Sequence, residues 1–174
     1  MCVVIDANVI GKVFDRRNAE HARFRPIATW VTTGNGSVIY GGTKYMKELG
    51  EGKFLALFTE LSKVRRAIMV SAMAVDDRAR VLKELVPDKD FDDEHIVAII
   101  GVSRCCLVCT DDVRALPYLK RKDLYPDGVK IPHIYRSLAD KRHCCNRLIV
   151  EICPNRSVPV RRGKKPKSRP KVAM

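Results

Sequence analysis

Short apolar runs alternate along this chain with longer stretches of helical periodicity, and that alternation leaves few folds open. Cys2-Val3-Val4-Ile5, Ser37-Val38-Ile39-Tyr40, Ala67 to Ser71 and Cys106-Leu107-Val108-Cys109 are each too brief for a helix and mostly rich in β-branched residues. Continuous apolar runs of this length are what strands buried on both faces look like. With helices between them, the pattern predicts the α/β class: a three-layer α/β/α sandwich around a parallel sheet of four or five strands.

The intervening segments carry helix signals. Asp6-Ala7-Asn8 starts a helix that places Val9, Ile10, Val13 and Phe14 on one face, and a second stretch runs through Phe24, Ile27, Ala28, Trp30 and Val31 to a stop at Gly34-Asn35-Gly36. Gly41-Gly42 turns the chain into a helix with Thr43 as its expected cap, holding Tyr45, Met46, Glu48 and Leu49 and ended or interrupted by Gly50 and Gly52. Helices are further predicted over 54–64, over 76–85 before Pro87, and through Ile96, Val97, Ile99, Ile100 and Val102. Beyond Asp112 the expected elements are a short helix through Leu116 and Leu119, a turn at Pro126-Asp127-Gly128, a helix near Ile134 to Asp140, and an apolar segment Leu148 to Cys153.

With 174 residues the chain suits one domain with a substantial core. No apolar stretch approaches the roughly 20 residues that cross a bilayer, and the N-terminus lacks a basic leader, so no membrane is expected and the sequence is placed in the cytoplasm. The formal charge is +13. Of 33 Lys and Arg, eight lie from Pro154 onward with no acid among them, leaving 25 against 20 acids in the rest. The division is therefore a folded domain over 1–153 and a basic tail over 154–174, predicted to be disordered because it cannot bury apolar surface. Such a tail suits binding to a polyanion without reading its sequence.

Seven cysteines argue against a secreted disulfide framework. Cys106 and Cys109 with His143-Cys144-Cys145 suggest zinc, but on a strand an odd offset points the two thiols to opposite faces. Small buried hydrophobes are the simpler account.

Acids stand wherever a parallel sheet would gather them: Asp6 after the first run, Glu48 in the second turn after Gly41-Gly42, Asp93 at the head of an apolar helix, and Asp111-Asp112 after Cys109-Thr110. Singly, each is explained by helix capping or by the electropositive first turn of a helix. Capping does not require Glu48, nor an acid at every position able to reach one pocket. Clustered carboxylates call for a hard cation, Mg2+ or Mn2+, and an acidic pocket on a basic protein suits hydrolysis of a polyanion.

Four segments carry a resemblance. Val3-Val4-Ile5-Asp6-Ala7-Asn8-Val9-Ile10, Tyr45-Met46-Lys47-Glu48-Leu49, Asp92-Asp93-Glu94-His95-Ile96-Val97-Ala98 and Leu107-Val108-Cys109-Thr110-Asp111-Asp112 together resemble the PIN-domain nucleases, including bacterial toxin components of the VapC type, over roughly residues 2–120. The resemblance implies Asp6, Glu48 and Asp93 as core acids of a metal site, with Thr110 and Asp112 on the family's Thr-x-Asp element and Asp111 as helper or substitute. It implies an endoribonuclease that hydrolyses phosphodiester bonds with Mg2+ or Mn2+, favours RNA over DNA, and admits an antitoxin or other protein inhibitor and a homodimer as partners.

On this reading Asp6, Glu48, Asp93 and Asp112 carry the chemistry, and Asp111 joins them as a metal ligand. Asn8, Thr110, Lys44, Lys47, Arg16 and Arg17 are the candidate substrate contacts, helix capping being the plainer account of Asn8 and Thr110. His95, two residues past Asp93 on a helix, is expected to point away from that carboxylate. A phosphohydrolase of the haloacid-dehalogenase type would need a second Asp where Asn8 stands, and a phospho-receiver would need an acidic neighbour for Asp6. The competing reading is a catalytically weak member of the same fold that binds RNA or serves as a subunit of a larger assembly.

Overall fold

The computed structural model describes residues 2–144. The apolar Leu148 to Cys153 segment and the basic tail over 154–174 lie outside the described residues. Five strands, β1 (Cys2–Ile5), β2 (Ser37–Tyr40), β3 (Ala67–Met69), β4 (Leu107–Cys109) and β5 (His133–Tyr135), form one sheet in the order β3-β2-β1-β4-β5. Every neighbouring pair is parallel, with Val3 beside Val38, Val4 beside Val108 and Val108 beside Ile134. The apolar runs of β1, β2 and β4 are buried throughout, as strands covered on both faces must be.

Among the described residues seven α-helices connect and cover the sheet: α1 (Ile10–Phe14), α2 (His21–Thr32), α3 (Thr43–Glu51), α4 (Leu55–Lys63), α5 (Ala72–Leu85), α6 (Glu94–Ser103) and α7 (Leu116–Leu119). α1 packs on α2 and α5 on α6, while α6 also lies against β1 and β2. That arrangement is α/β and consistent with three layers. In α6 the residues from Glu94 to Gly101 are all buried, because one side of the helix meets the sheet and the other meets α5. A helix apolar nearly all round needs such cover.

Several local expectations are corrected. Residues 133–135 form β5, not the start of a helix, because parallel pairing with Leu107–Cys109 satisfies their backbone groups; only a 3-10 segment, Leu138–Cys144, follows. The third strand stops at Met69, and Ser71 instead caps α5 by accepting from the Ala74 amide. Thr43 is the first helical residue of α3 and Gly42 stands at the cap. Gly42 has φ +85, and a Cβ there would lie 2.5 Å from Val75 Cγ1, so the corner needs glycine. Capping comes from across the fold: Asp76 accepts the Thr43 amide at 2.8 Å and its hydroxyl at 2.6 Å.

Cys105, Cys106 and Cys109 are buried in the core. Burial pushes the Cys105 thiol up to about 12 and raises Cys106 as well, in keeping with small buried hydrophobes. Cys2 departs from the expected role of a simple buried hydrophobe, being disulfide-bonded. Among the described residues no helix is long and apolar enough to cross a membrane.

The strand order places β1 and β4 side by side while the chain leaves them in opposite directions, to β2 on one flank and β5 on the other. Connections that diverge in this way open a crevice at the carboxyl ends of the two strands. The Asp6 amide donates to the Cys109 carbonyl at 2.9 Å, so the two strand ends are level.

Candidate metal centre

Asp6 follows β1 directly and is 5% exposed. Its Oδ1 accepts from the Asn8 amide at 3.3 Å and its Oδ2 from the Thr110 hydroxyl at 2.7 Å. Thr110, just past β4, also accepts from the Asp112 amide at 3.1 Å. Burial raises the Asp6 carboxyl above its ordinary range against the pull of the Thr110 and Asn8 bonds, and the Glu48 charge adds to the rise.

Asp93 stands at the N-cap position of α6, yet its side chain makes no capping bond. Capping therefore does not account for this carboxylate. Burial first, then the Asp6 charge, push it up to about 7 against the opposing effect of His95, with Asp92 and Asp112 contributing further. The Asp93 carboxyl thus responds to the Asp6 and Asp112 charges.

Glu48 reaches the same region from α3. One turn earlier, the buried Tyr45 donates its hydroxyl to the Ile5 carbonyl, which seats α3 over the end of β1. Glu48 Oε2 lies 3.1 Å from His95 Nε2. Burial raises the Glu48 carboxyl, but the His95 bond, together with the His95 and Lys44 charges, outweighs it and holds the group below its ordinary range. His95 hydrogen-bonds to Glu48, another of the acids, and its charge also acts on Asp93.

The two adjacent aspartates part company. Asp112 accepts from the Arg114 amide at 2.8 Å and from its Nη2 at 3.0 Å, and the Arg114 bond holds its carboxyl low. Asp111 instead pairs with Lys12, whose Nζ also lies 2.8 Å from Glu20 Oε2. The Asp112 charge acts on Asp93, while Asp111 is paired with Lys12.

Of the candidate phosphate contacts, Lys44 borders the site: its ammonium donates to the Asp92 carbonyl and lies 3.2 Å from the buried Glu94 carboxylate. Lys47 faces Glu51 at 3.8 Å, Arg17 pairs with Asp15 at 3.5 Å, and Arg16 is exposed. Asn8 is exposed and serves Asp6 through its amide. Sequence reasoning missed Arg114, whose Nη2 lies 3.0 Å from Asp112 and 3.8 Å from Asp92. Its place two residues past Asp112 was the available signal.

No family model, no curated protein and no solved structure matches this chain.

The donors of the site are carboxylate oxygens, the hard ligands that Mg2+ and Mn2+ prefer. Neighbouring carboxylates that raise one another's pKa form a place a divalent cation would stabilise. Among the described residues, no three His, Cys, Asp or Glu side chains stand as a ready-made metal-holding group. The His95 bond engages only Oε2 of Glu48, whereas both oxygens of Asp112 face Arg114, so joining an ion with Asp6 and Asp93 requires Asp112 to exchange partners.

Proposed function

We propose that this chain is a metal-dependent nuclease of the PIN type, an endoribonuclease that hydrolyses phosphodiester bonds with Mg2+ or Mn2+. The observation that supports the reading is the electrostatic coupling of acids from four separate segments: the Asp6 and Asp112 charges raise Asp93, and the Glu48 charge raises Asp6, the first residue past β1. In this reading Asp6 and Asp93 hold the ion, Asp112 completes the set once Arg114 turns to substrate, and Asp111 stays with Lys12. When bound, the cation neutralises phosphate charge and lowers the pKa of a coordinated water. Glu48, kept ionised beside His95, orients the attacking water and accepts its proton while the bond from phosphorus to the leaving oxygen breaks and that oxygen takes a proton from solvent. Thr110 holds Asp6 in place. Lys44 and Arg114 border the acids as candidate phosphate contacts, and the basic residues after Pro154 add salt-sensitive affinity for RNA. A toxin-like role with a protein inhibitor, and a homodimer, follow from the PIN resemblance alone.

The test is incubation of the full chain with mixed RNA and DNA substrates, with and without Mn2+, beside an Asp6→Asn, Asp93→Asn double mutant. Metal-dependent cleavage of RNA by the wild type, lost in the double mutant, is the expected result. Equal cleavage by both proteins, or by neither, overturns the reading.

One observation favours a second reading, a weakly active RNA-binding subunit of a larger assembly. Arg114 already neutralises Asp112, as a cation would. RNA binding without metal-dependent cleavage in the same assay selects it.

A further inference from the structure

We propose that His95 is a positioning residue of the acidic site, fixing the orientation of the Glu48 carboxylate; the role rests on the metal-centre reading. The imidazole is 3% exposed, within the fully buried stretch of α6. A carboxylate only accepts hydrogen bonds, so in the 3.1 Å contact Nε2 is the donor and Glu48 Oε2 the acceptor. The other ring nitrogen, Nδ1, is buried without a partner. Packing alone would be served better by an apolar residue, because an unpartnered buried nitrogen is costly. The ring is further steadied by Tyr45, 6.2 Å away between centroids, the same residue that ties α3 to the end of β1.

The consequence is geometric. Glu48 is a long side chain, 29% exposed, with several torsions to fix. Asp93 stands at the N-cap of α6 and His95 lies two residues along, so one rigid segment carries both a central acid and the group that orients the acid of α3. A single hydrogen bond therefore ties the acid of α3 to the helix that Asp93 heads. Partners of this kind, one step behind the ligands, typically change metal affinity about 10- to 100-fold when removed.

The experiment is isothermal titration of the full chain with MnCl2 for wild type, His95→Leu, His95→Gln, Glu48→Ala and the Glu48→Ala, His95→Leu double mutant. Circular dichroism checks that each is folded. The expected result is an affinity about 10- to 100-fold weaker in H95L, largely recovered in H95Q, whose amide nitrogen reaches the place of Nε2, and no further loss from H95L once Glu48 is alanine. A folded H95L that binds Mn2+ like the wild type, or that loses affinity equally without Glu48, overturns the positioning role while leaving the metal centre standing. Absence of Mn2+ binding in the wild type overturns the metal centre and the role with it. If H95L does not fold, the 15N signal of His95 Nε2 in the wild type and in Glu48→Gln decides the matter. That signal must shift in Glu48→Gln, and an unchanged signal overturns the contact.

Discussion

Thr110 donates its hydroxyl to the Asp6 carboxylate across 2.7 Å, joining the first residue after β1 to the first residue after β4. The bond crosses the switch point. It holds a buried acid against burial that would otherwise raise its pKa further, and the same oxygen receives the Asp112 amide. Replacing Thr110 by Val keeps the shape and removes the donor. A hydrogen bond to a charged group is worth about 1.5–3 kcal/mol, so T110V is expected to lower unfolding stability by about that amount in urea titration, and T110S to restore most of it. A loss under ~0.5 kcal/mol would show the bond to be idle.

Mn2+ should raise the melting temperature of the wild type, because a ligand bound only by the native state stabilises it, by about 2.7 kcal/mol at a hundredfold excess over Kd. The D6N/D93N double mutant should melt at the same temperature with and without the ion. Equal stabilisation of both proteins would place the ion elsewhere.

Asp93 links stability to pH. Its carboxyl rises from the usual 3.8 to about 7 on folding, so between these values the folded chain keeps a proton that the unfolded chain has released. The contribution is complete below pH 3.8 and is lost as pH rises through about 7. Metal-free wild type should therefore lose stability relative to Asp93→Asn over that window, with the gap levelling off above it. Paired thermal melts at half-unit steps check the sign; a gap constant with pH would mean that Asp93 is not perturbed. Protons should also compete with Mn2+, so wild-type affinity falls as pH drops below 7.

Arg114 engages Asp112 and Asp92 with a side chain that is largely exposed. Removing it frees Asp112 and takes a positive charge from the rim. Arg114→Ala is expected to bind Mn2+ several-fold more tightly by calorimetry. It is also expected to bind RNA more weakly, with the slope of log affinity against log salt reduced by about one. Weaker metal binding, or an unchanged salt slope, would remove Arg114 from the site.

Much of the fold was legible because its signals are local. Cys2–Ile5 and Ser37–Tyr40 are strands from end to end, and Leu107–Cys109 falls one residue short of its expected start. In each case a short apolar run bounded by turns has few alternatives. His133–Tyr135 was illegible for the opposite reason. Only Tyr135 of the three is buried, so no apolar run marks the strand and its pairing with β4 decides its state. The N-terminus of α3 was misread in a related way, because its cap, Asp76, comes from α5, 33 residues along the chain.

The sequence by itself determined the class of fold and the placing of Asp6, Glu48, Asp93 and the Asp111-Asp112 pair at strand ends or in the first turns of helices, since hydrophobic period and turn chemistry act over a few residues. Tertiary structure alone decided which partner each acid takes: Thr110 for Asp6, 104 residues away; Lys12 for Asp111, 99 away; and His95 for Glu48, 47 away. Charges and hydrogen bonds act over a few ångströms of space, and separation along the chain carries no record of that distance until the sheet brings its strand ends together.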